Sequence, residues 1–158
     1  MPCDRLSRRG FIAGSACGVF TLAALGLPGD VAALPVSEIE AQGNGNERKY
    51  PIPSADGASI DRASQVILVR YAGKVYAMSL VCPHENAAVR WLPKDGRFQC
   101  SKHTSRYTPD GTFTSGRATR NMDRFPIRKE GAQVVVTIDR VFQSDKDANG
   151  WNGANVPA

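Results

Sequence analysis

The chain has two histidines in 158 residues, and both fall in one stretch. Cys82-Pro-His84 is followed, after fifteen intervening residues, by Cys100-Ser-Lys-His103. Each histidine trails a cysteine by two or three positions. No other feature constrains the fold as strongly, because the two half-motifs meet only if two separate loops are brought to one place. Thiolate and neutral imidazole are both metal ligands. Two buried thiols beside two satisfied histidines would be the bland explanation. It would require the only histidines to fall by accident beside the only cysteines beyond residue 17. A disulfide between Cys82 and Cys100 is another use for the thiols, but it leaves both histidines without a purpose.

The arrangement of ligand types within each loop narrows the metal. Zinc takes two Cys and two His in a tetrahedron, and its finger motifs group the cysteines on one loop and the histidines on the other. Here each loop is mixed. Mixed loops suit a binuclear [2Fe–2S] centre in which one iron takes both cysteines and the other both histidines. A zinc-stabilised structural module is kept as the alternative from a different functional class.

The two loops are expected to be carried on hairpins. "QVILVRY" (65–71) and "KVYAMSLV" (74–81) are β-branched and apolar, are joined at Ala72-Gly73, and lead directly into Cys82. "GRFQC" (96–100) leads into Cys100, and "RYTPDGTFT" (106–114) turns at Pro-Asp-Gly. "FPIRKEGAQVVVTID" (125–139) forms a last hairpin around Glu130-Gly131. No helical periodicity persists across this region. The fold class is therefore all-β: a small antiparallel domain of stacked sheets and hairpins over residues 48–141, with two cluster-binding loops. Residues 34–47 are expected to be a Gly- and Asn-rich linker that becomes an edge segment near Tyr50-Pro51-Ile52. Residues 142–158 are expected to be a polar tail, loose or laid over a surface, with Trp151 as its large anchor. A domain of this size buries a modest core, so a metal linking two loops would add to its stability.

Residues 1–33 have the pattern of an address. Ser7-Arg8-Arg9 precedes an apolar run from Phe11 to Leu27, and Val31-Ala32-Ala33 offers small residues for cleavage. Paired arginines ahead of a short apolar core mark twin-arginine export. The alternative is an uncleaved anchor helix, although 17 residues containing three Gly, one Ser and one Thr sit at the lower limit of the roughly 17–25 that span a bilayer.

Residues 82–107 resemble the cluster-binding segment of Rieske iron–sulfur proteins, and the likeness extends over roughly residues 65–138. "VYAMSLVCPH" is similar to the family's strand before its first loop, "FQCSKHTSRYTPDGTF" to its second loop and following hairpin, and "SGRATRNMDRFPI" to the loop that covers the cluster. The resemblance implies that Cys82 and Cys100 ligate one iron of a single [2Fe–2S] cluster, and that His84 and His103 ligate the other. It further implies that Ser105 and Tyr107 donate hydrogen bonds to cluster sulfurs and raise the potential. Two imidazoles in place of two thiolates leave the oxidised centre neutral, which places such clusters at about −150 to +300 mV. The sequence departs from the quinol-oxidising members at Ala87 and Lys102, where those have a disulfide, and at Arg117, where they have a proline. These departures resemble soluble Rieske ferredoxins and small electron-transfer subunits.

The charge points to partners. From Leu34 onward there are 17 Lys and Arg against 13 Asp and Glu, a net of +4. The stretch 82–125 alone carries this excess, with Arg90, Lys94, Arg97, Lys102, Arg106, Arg117, Arg120 and Arg124 against four acids. No aromatic–basic motif accompanies it, which argues against nucleic acid. The expectation is a periplasmic one-electron carrier, or one on the periplasmic face of the membrane, passing electrons to a c-type cytochrome. The alternative is the small subunit of a larger oxidoreductase resembling arsenite oxidase. In neither case is bond chemistry expected from this chain alone.

Overall fold

The computed structural model of the chain describes residues 34–43 and 45–158. The expected export signal, including the apolar run 11–27, lies outside the described residues. Among those residues no helix is long and apolar enough to cross a membrane.

The strands, in chain order, are β1 (Val36–Glu38), β2 (Glu47–Pro51), β3 (Gly57–Asp61), β4 (Val66–Tyr71), β5 (Lys74–Ser79), β6 (Val89–Leu92), β7 (Arg97–Cys100), β8 (Arg106–Tyr107), β9 (Phe113–Ser115), β10 (Ile127–Glu130), β11 (Gln133–Thr137) and β12 (Val156–Pro157). They form a five-stranded sheet in the order β1-β3-β4-β5-β12, a three-stranded sheet β10-β11-β2, and a four-stranded sheet β6-β7-β8-β9. The all-β, largely antiparallel expectation holds, with one parallel pairing, β1 on β3.

The β4–β5 hairpin is the centre of this arrangement. Its turn places Ala72 and Gly73 at φ 51° and 73°, the two left-handed residues of a tight hairpin turn whose twist matches the flanking strands. Alternate side chains then enter different cores. Ile67, Val69, Tyr76 and Met78 pack with Trp91, Phe98 and Tyr107 beneath the four-stranded sheet. Val66, Leu68, Val75 and Ala77 pack with Tyr50, Val134 and Val136 beneath the three-stranded sheet. A strand buried on both faces has no polar side to alternate with, which explains the unbroken "VILV".

Three segments differ from the sequence expectation. Residues 57–61, to which the sequence assigns no strand, form β3, and all five are buried. The strand joins β4 along its whole length, from Gly57↔Arg70 to Asp61↔Val66. Residues 34–47 are not a free linker: β1 pairs with β3, and the Leu34 carbonyl accepts from the Trp91 indole at 3.0 Å.

The tail is not loose. It forms helix α1 (Ala148–Gly153), capped by Asp147, whose Oδ1 accepts from the Gly150 N–H at 2.8 Å. It then returns as β12 against β5, with Val156 opposite Val75. Trp151 is buried, and its indole donates to the Met122 carbonyl at 2.7 Å.

Arg124 is also buried, so it does not belong to the basic surface inferred from composition. Its guanidinium lies 3.5 Å from the Trp151 ring centre and 4.6 Å from that of Tyr76. It donates to the carbonyls of Trp151 and Asp110 at 2.9 and 2.6 Å. Stacking between aromatic rings, two bonds to carbonyls and the Asp110 carboxylate 3.7 Å away together allow this guanidinium to be buried. Burial lowers its pKa, against the opposing pull of Asp110 and Tyr76.

Candidate metal centre

Both cysteines sit where a strand gives way to a loop, and the backbone closes the two loops in the same way. The Cys82 N–H donates to the Ala87 carbonyl at 2.8 Å, and the Cys100 N–H to the Ser105 carbonyl at 2.9 Å. Each loop is thus pinned at its cysteine to a residue five positions on. The Ser101 N–H donates to the Ala88 carbonyl at 2.9 Å, which ties the second loop to the first. Strand pairing sets this alignment, since Val89 stands opposite Cys100 in the β6–β7 register.

The side chains converge from these two loops. Cys82 and Cys100 are buried and unbridged, so the disulfide alternative is not what the structure shows. The rings of His84 and His103 meet edge to face, with centroids 4.9 Å apart. The Nδ1 atoms of both histidines are buried and have no hydrogen-bond partner. Two orphaned ring nitrogens next to each other would be an unpaid desolvation cost in a purely structural site. They fit a group that accepts lone pairs.

A tetrahedral zinc site would bring all four donor atoms within about 3.3–3.8 Å of one another, given its bond lengths. Among the described residues, the set of three or more donor-type side chains lying within 4.8 Å of one another is His84, Glu85 and His103, and neither cysteine joins it. The four side chains are therefore not gathered as the corners of one such tetrahedron. Glu85, which sequence reasoning gave no role, has its carboxylate 3.9 Å from His103 Nδ1 and is about half exposed. That distance is too long for a hydrogen bond.

Tyr107 is fully buried, and its hydroxyl lies 3.4 Å from Cys82 Sγ. Burial, and then the bond to Cys82 and the charge of both cysteines, hold its proton well above the usual phenol range. The phenol therefore stays a donor. Ser105, also fully buried, accepts from the Arg117 and Ala118 N–H groups at 3.1 and 3.0 Å. Its hydroxyl thereby holds the 116–118 loop. Gly116 passes so close that a Cβ there would lie 2.6 Å from the Ser105 nitrogen, and its φ is +111°. The chain uses a glycine and a serine to fix this loop where a proline is absent. Ala87 is buried, and Lys102 is exposed. A groove of about 480 Å³ beside Glu38, Ile60 and Arg62 is lined by no residue of either loop.

Fold and geometry together define a class: a small layered β domain in which two strand-end loops each deliver one thiol and one imidazole to a common point. The sequence model of the Rieske [2Fe–2S] domain matches residues 47–126, about half of the chain, and the chain belongs to that family. The cofactor of such a domain is one [2Fe–2S] cluster, which sets the zinc alternative aside.

The chain is 30% identical over 74 residues to the cytochrome b6-f complex iron–sulfur subunit of Chlorobaculum tepidum, covering 47% of this chain and 41% of the relative. It is 29% identical over 133 residues to the cytochrome b6-f complex iron–sulfur subunit 1 of Synechocystis, covering 83% of this chain and 64% of the relative. It thus spans between about two fifths and two thirds of the length of these relatives. Among solved structures, it is similar to a cyanobacterial plasma-membrane Rieske protein from Synechocystis. That match has 21% identity and a TM-score of 0.43, with 58% of this chain and 86% of the other covered. It is also similar to the ferredoxin of carbazole 1,9a-dioxygenase from Nocardioides aromaticivorans, at 21% identity and a TM-score of 0.39, with 55% and 88% covered.

Proposed function

We propose that this chain is an exported one-electron carrier, a subunit of a respiratory or photosynthetic chain that passes electrons toward a c-type cytochrome. The observation that carries the reading is the pair of buried, unpartnered imidazole nitrogens on the same two loops as two buried free thiols. In this reading Cys82 and Cys100 hold one iron, and His84 and His103 the other. The bound cluster supplies reversible one-electron chemistry at a potential above that of all-cysteine centres. The protein's own part is to hold four donors in register, exclude water from the thiol side, and leave the imidazole side partly exposed as the exit. The Tyr107 hydroxyl on Cys82 and the Ser105 hydroxyl under the covering loop set the polarity around the sulfurs.

Export by the twin-arginine route belongs to the same proposal and rests on Arg8-Arg9 and the apolar run that follows. It places the domain in the periplasm or on the periplasmic face of the membrane. A second reading, a small subunit of a periplasmic oxidoreductase of the arsenite-oxidase type, is favoured by Ala87 and Lys102, which stand where a disulfide would otherwise link the loops. The partner that co-purifies separates the two: a membrane cytochrome complex or a large catalytic subunit.

The test of the site is EPR of the ascorbate- or dithionite-reduced protein beside its His103→Ala variant. The variant is expected to lose the Rieske-type signal and to unfold at lower temperature, because site and fold form together. Two irons and an unchanged spectrum in the variant would remove His103 from the ligand set.

A further inference from the structure

The four-stranded sheet has an inner face, made by Val89, Trp91, Phe98, Cys100 and Tyr107, that is buried in the core. The outer face has a composition that the register makes legible. Arg90 stands opposite Gln99, Gln99 opposite Arg106, and Arg106 opposite Ser115. These four residues form one row straight across the sheet. Neighbouring strands lie about 4.8 Å apart, so the two arginines are roughly 10 Å from each other. Both are exposed.

Lys102, beside His103, and Arg117, in the loop over Ser105, continue the positive charge from the row to the two histidines, and both are exposed. Among the described residues, none of these four cations has a carboxylate within ion-pair distance. Arg97 is paired with Asp95 at 2.8 Å, Arg120 with Asp123 at 3.1 Å, and Arg124 is buried. The structure therefore separates the basic residues of this stretch into those already neutralised and those left facing water. Glu85, about half exposed, is the acid within this zone.

We propose that the row Arg90–Gln99–Arg106, extended by Lys102 and Arg117, is a docking surface for an acidic protein. The proposal rests on the electron-carrier reading and names the charge of the partner. Unpaired cations on a rigid sheet keep their field at no reorganisation cost, and such fields accelerate encounter with a surface of opposite sign. The row is interleaved with the neutral amide and hydroxyl of Gln99 and Ser115 and presents no large apolar side chain. This suits a polar protein rim better than a membrane, which rewards apolar insertion.

The test uses the holoprotein and two small c-type cytochromes, one acidic and one basic, with calorimetric affinity of the oxidised pair and stopped-flow electron transfer from the reduced holoprotein to the oxidised cytochrome as separate readouts. Wild type is expected to bind the acidic cytochrome more tightly, losing about tenfold in affinity and rate as salt rises from about 20 to about 200 mM. Arg90→Glu/Arg106→Glu is expected to lose about tenfold at low salt. Arg62→Glu/Lys129→Glu, which makes the same change in net charge away from the four-stranded sheet, is expected to stay near wild type. Equal losses in the two double variants would mean that net charge, not this face, steers binding, and would overturn the proposal. Tighter binding of the basic cytochrome would overturn it too. So would Arg90- and Arg106-dependent sedimentation with phosphatidylglycerol vesicles in the absence of cytochrome binding, which would assign the face to a membrane. Transfer from the reduced holoprotein to ferricyanide, which needs no docking, tests the carrier reading separately.

Discussion

Tyr107→Phe removes one oxygen from a fully buried ring and leaves the rest in place. The ring stands opposite Phe98 in the β7–β8 pairing and 5.9 Å, centre to centre, from Phe113, and phenylalanine keeps both contacts. What disappears is the donor 3.4 Å from Cys82 Sγ. A hydrogen bond to a charged group contributes about 1.5 kcal/mol at the lower end of its range. For a one-electron couple this corresponds to about 65 mV. The sign is downward, because the donor stabilises the extra negative charge of the reduced state. The measurement is an EPR-monitored redox titration of wild type and variant at one pH and salt. Tyr50→Phe is the control. It deletes the buried bond from Tyr50 to Asp61, 2.9 Å long, in the other core. It is expected to lower stability by about 1.5–3 kcal/mol and to leave the potential alone. A Tyr107→Phe potential within about 10 mV of wild type, against the 65 mV expected, would refute the reasoning and leave Tyr107 a packing residue. An equal shift in the Tyr50 control would refute it as well, by tying the potential to stability rather than to the bond.

Three further outcomes test the frame around the site. Gly116→Ala is expected to cost about 1–3 kcal/mol of stability in thermal or urea unfolding, from a left-handed φ and the approach to Ser105 together; an unchanged midpoint would mean that the 116–118 loop moves aside freely. Trp151→Ala is expected to cost about 3–5 kcal/mol, which a loose tail would not, and a loss under 1 kcal/mol would show that the tail is dispensable. Burial raises the Asp61 carboxyl, but the Ser64 N–H and hydroxyl, the Tyr50 hydroxyl and the Ala63 N–H outweigh it, so its pKa lies below the ordinary 3.8. Its contribution is therefore complete above that ordinary value and fades as the pH falls through the folded-state pKa. Between about pH 5 and pH 2, wild type should lose more stability than Asp61→Asn, and parallel curves would deny Asp61 this role.

The hairpins were readable because their signals are local. Ala72-Gly73 and Glu130-Gly131 separate apolar runs of strand length, and the turn and the pairing need nothing from elsewhere in the chain. Strand β3 was not readable, since Gly57, Ser59 and Asp61 are turn-type residues whose strand character comes only from being covered on both sides. Helix α1 is shorter than two turns, too short to display a period. The cysteines and histidines were legible because each loop carries its own pair within four residues. What brings the loops together, Ser101 on Ala88 and Val89 opposite Cys100, is backbone pairing, which side-chain identity does not encode. Arg124 shows the same limit. Its aromatic neighbours, Tyr76 and Trp151, are 48 and 27 residues away in the chain, so composition counted it as surface charge.

The outer edge of β5 is closed by two pieces of chain made long after it. The Phe125 N–H reaches the Ala77 carbonyl, the Ser79 N–H reaches the Asp123 carbonyl, and Val156 comes to rest against Val75. While a ribosome is still synthesising residues 80–120, the most apolar hairpin of the domain therefore presents a bare row of amides and carbonyls, open to pairing with any neighbouring strand. The domain reaches its sealed form only after residues 156–157 emerge, so a translation product that stops before them is expected to be both unfinished and sticky. Strand β12 thus closes the last open edge of this hairpin, a role separate from anything the cysteines and histidines do.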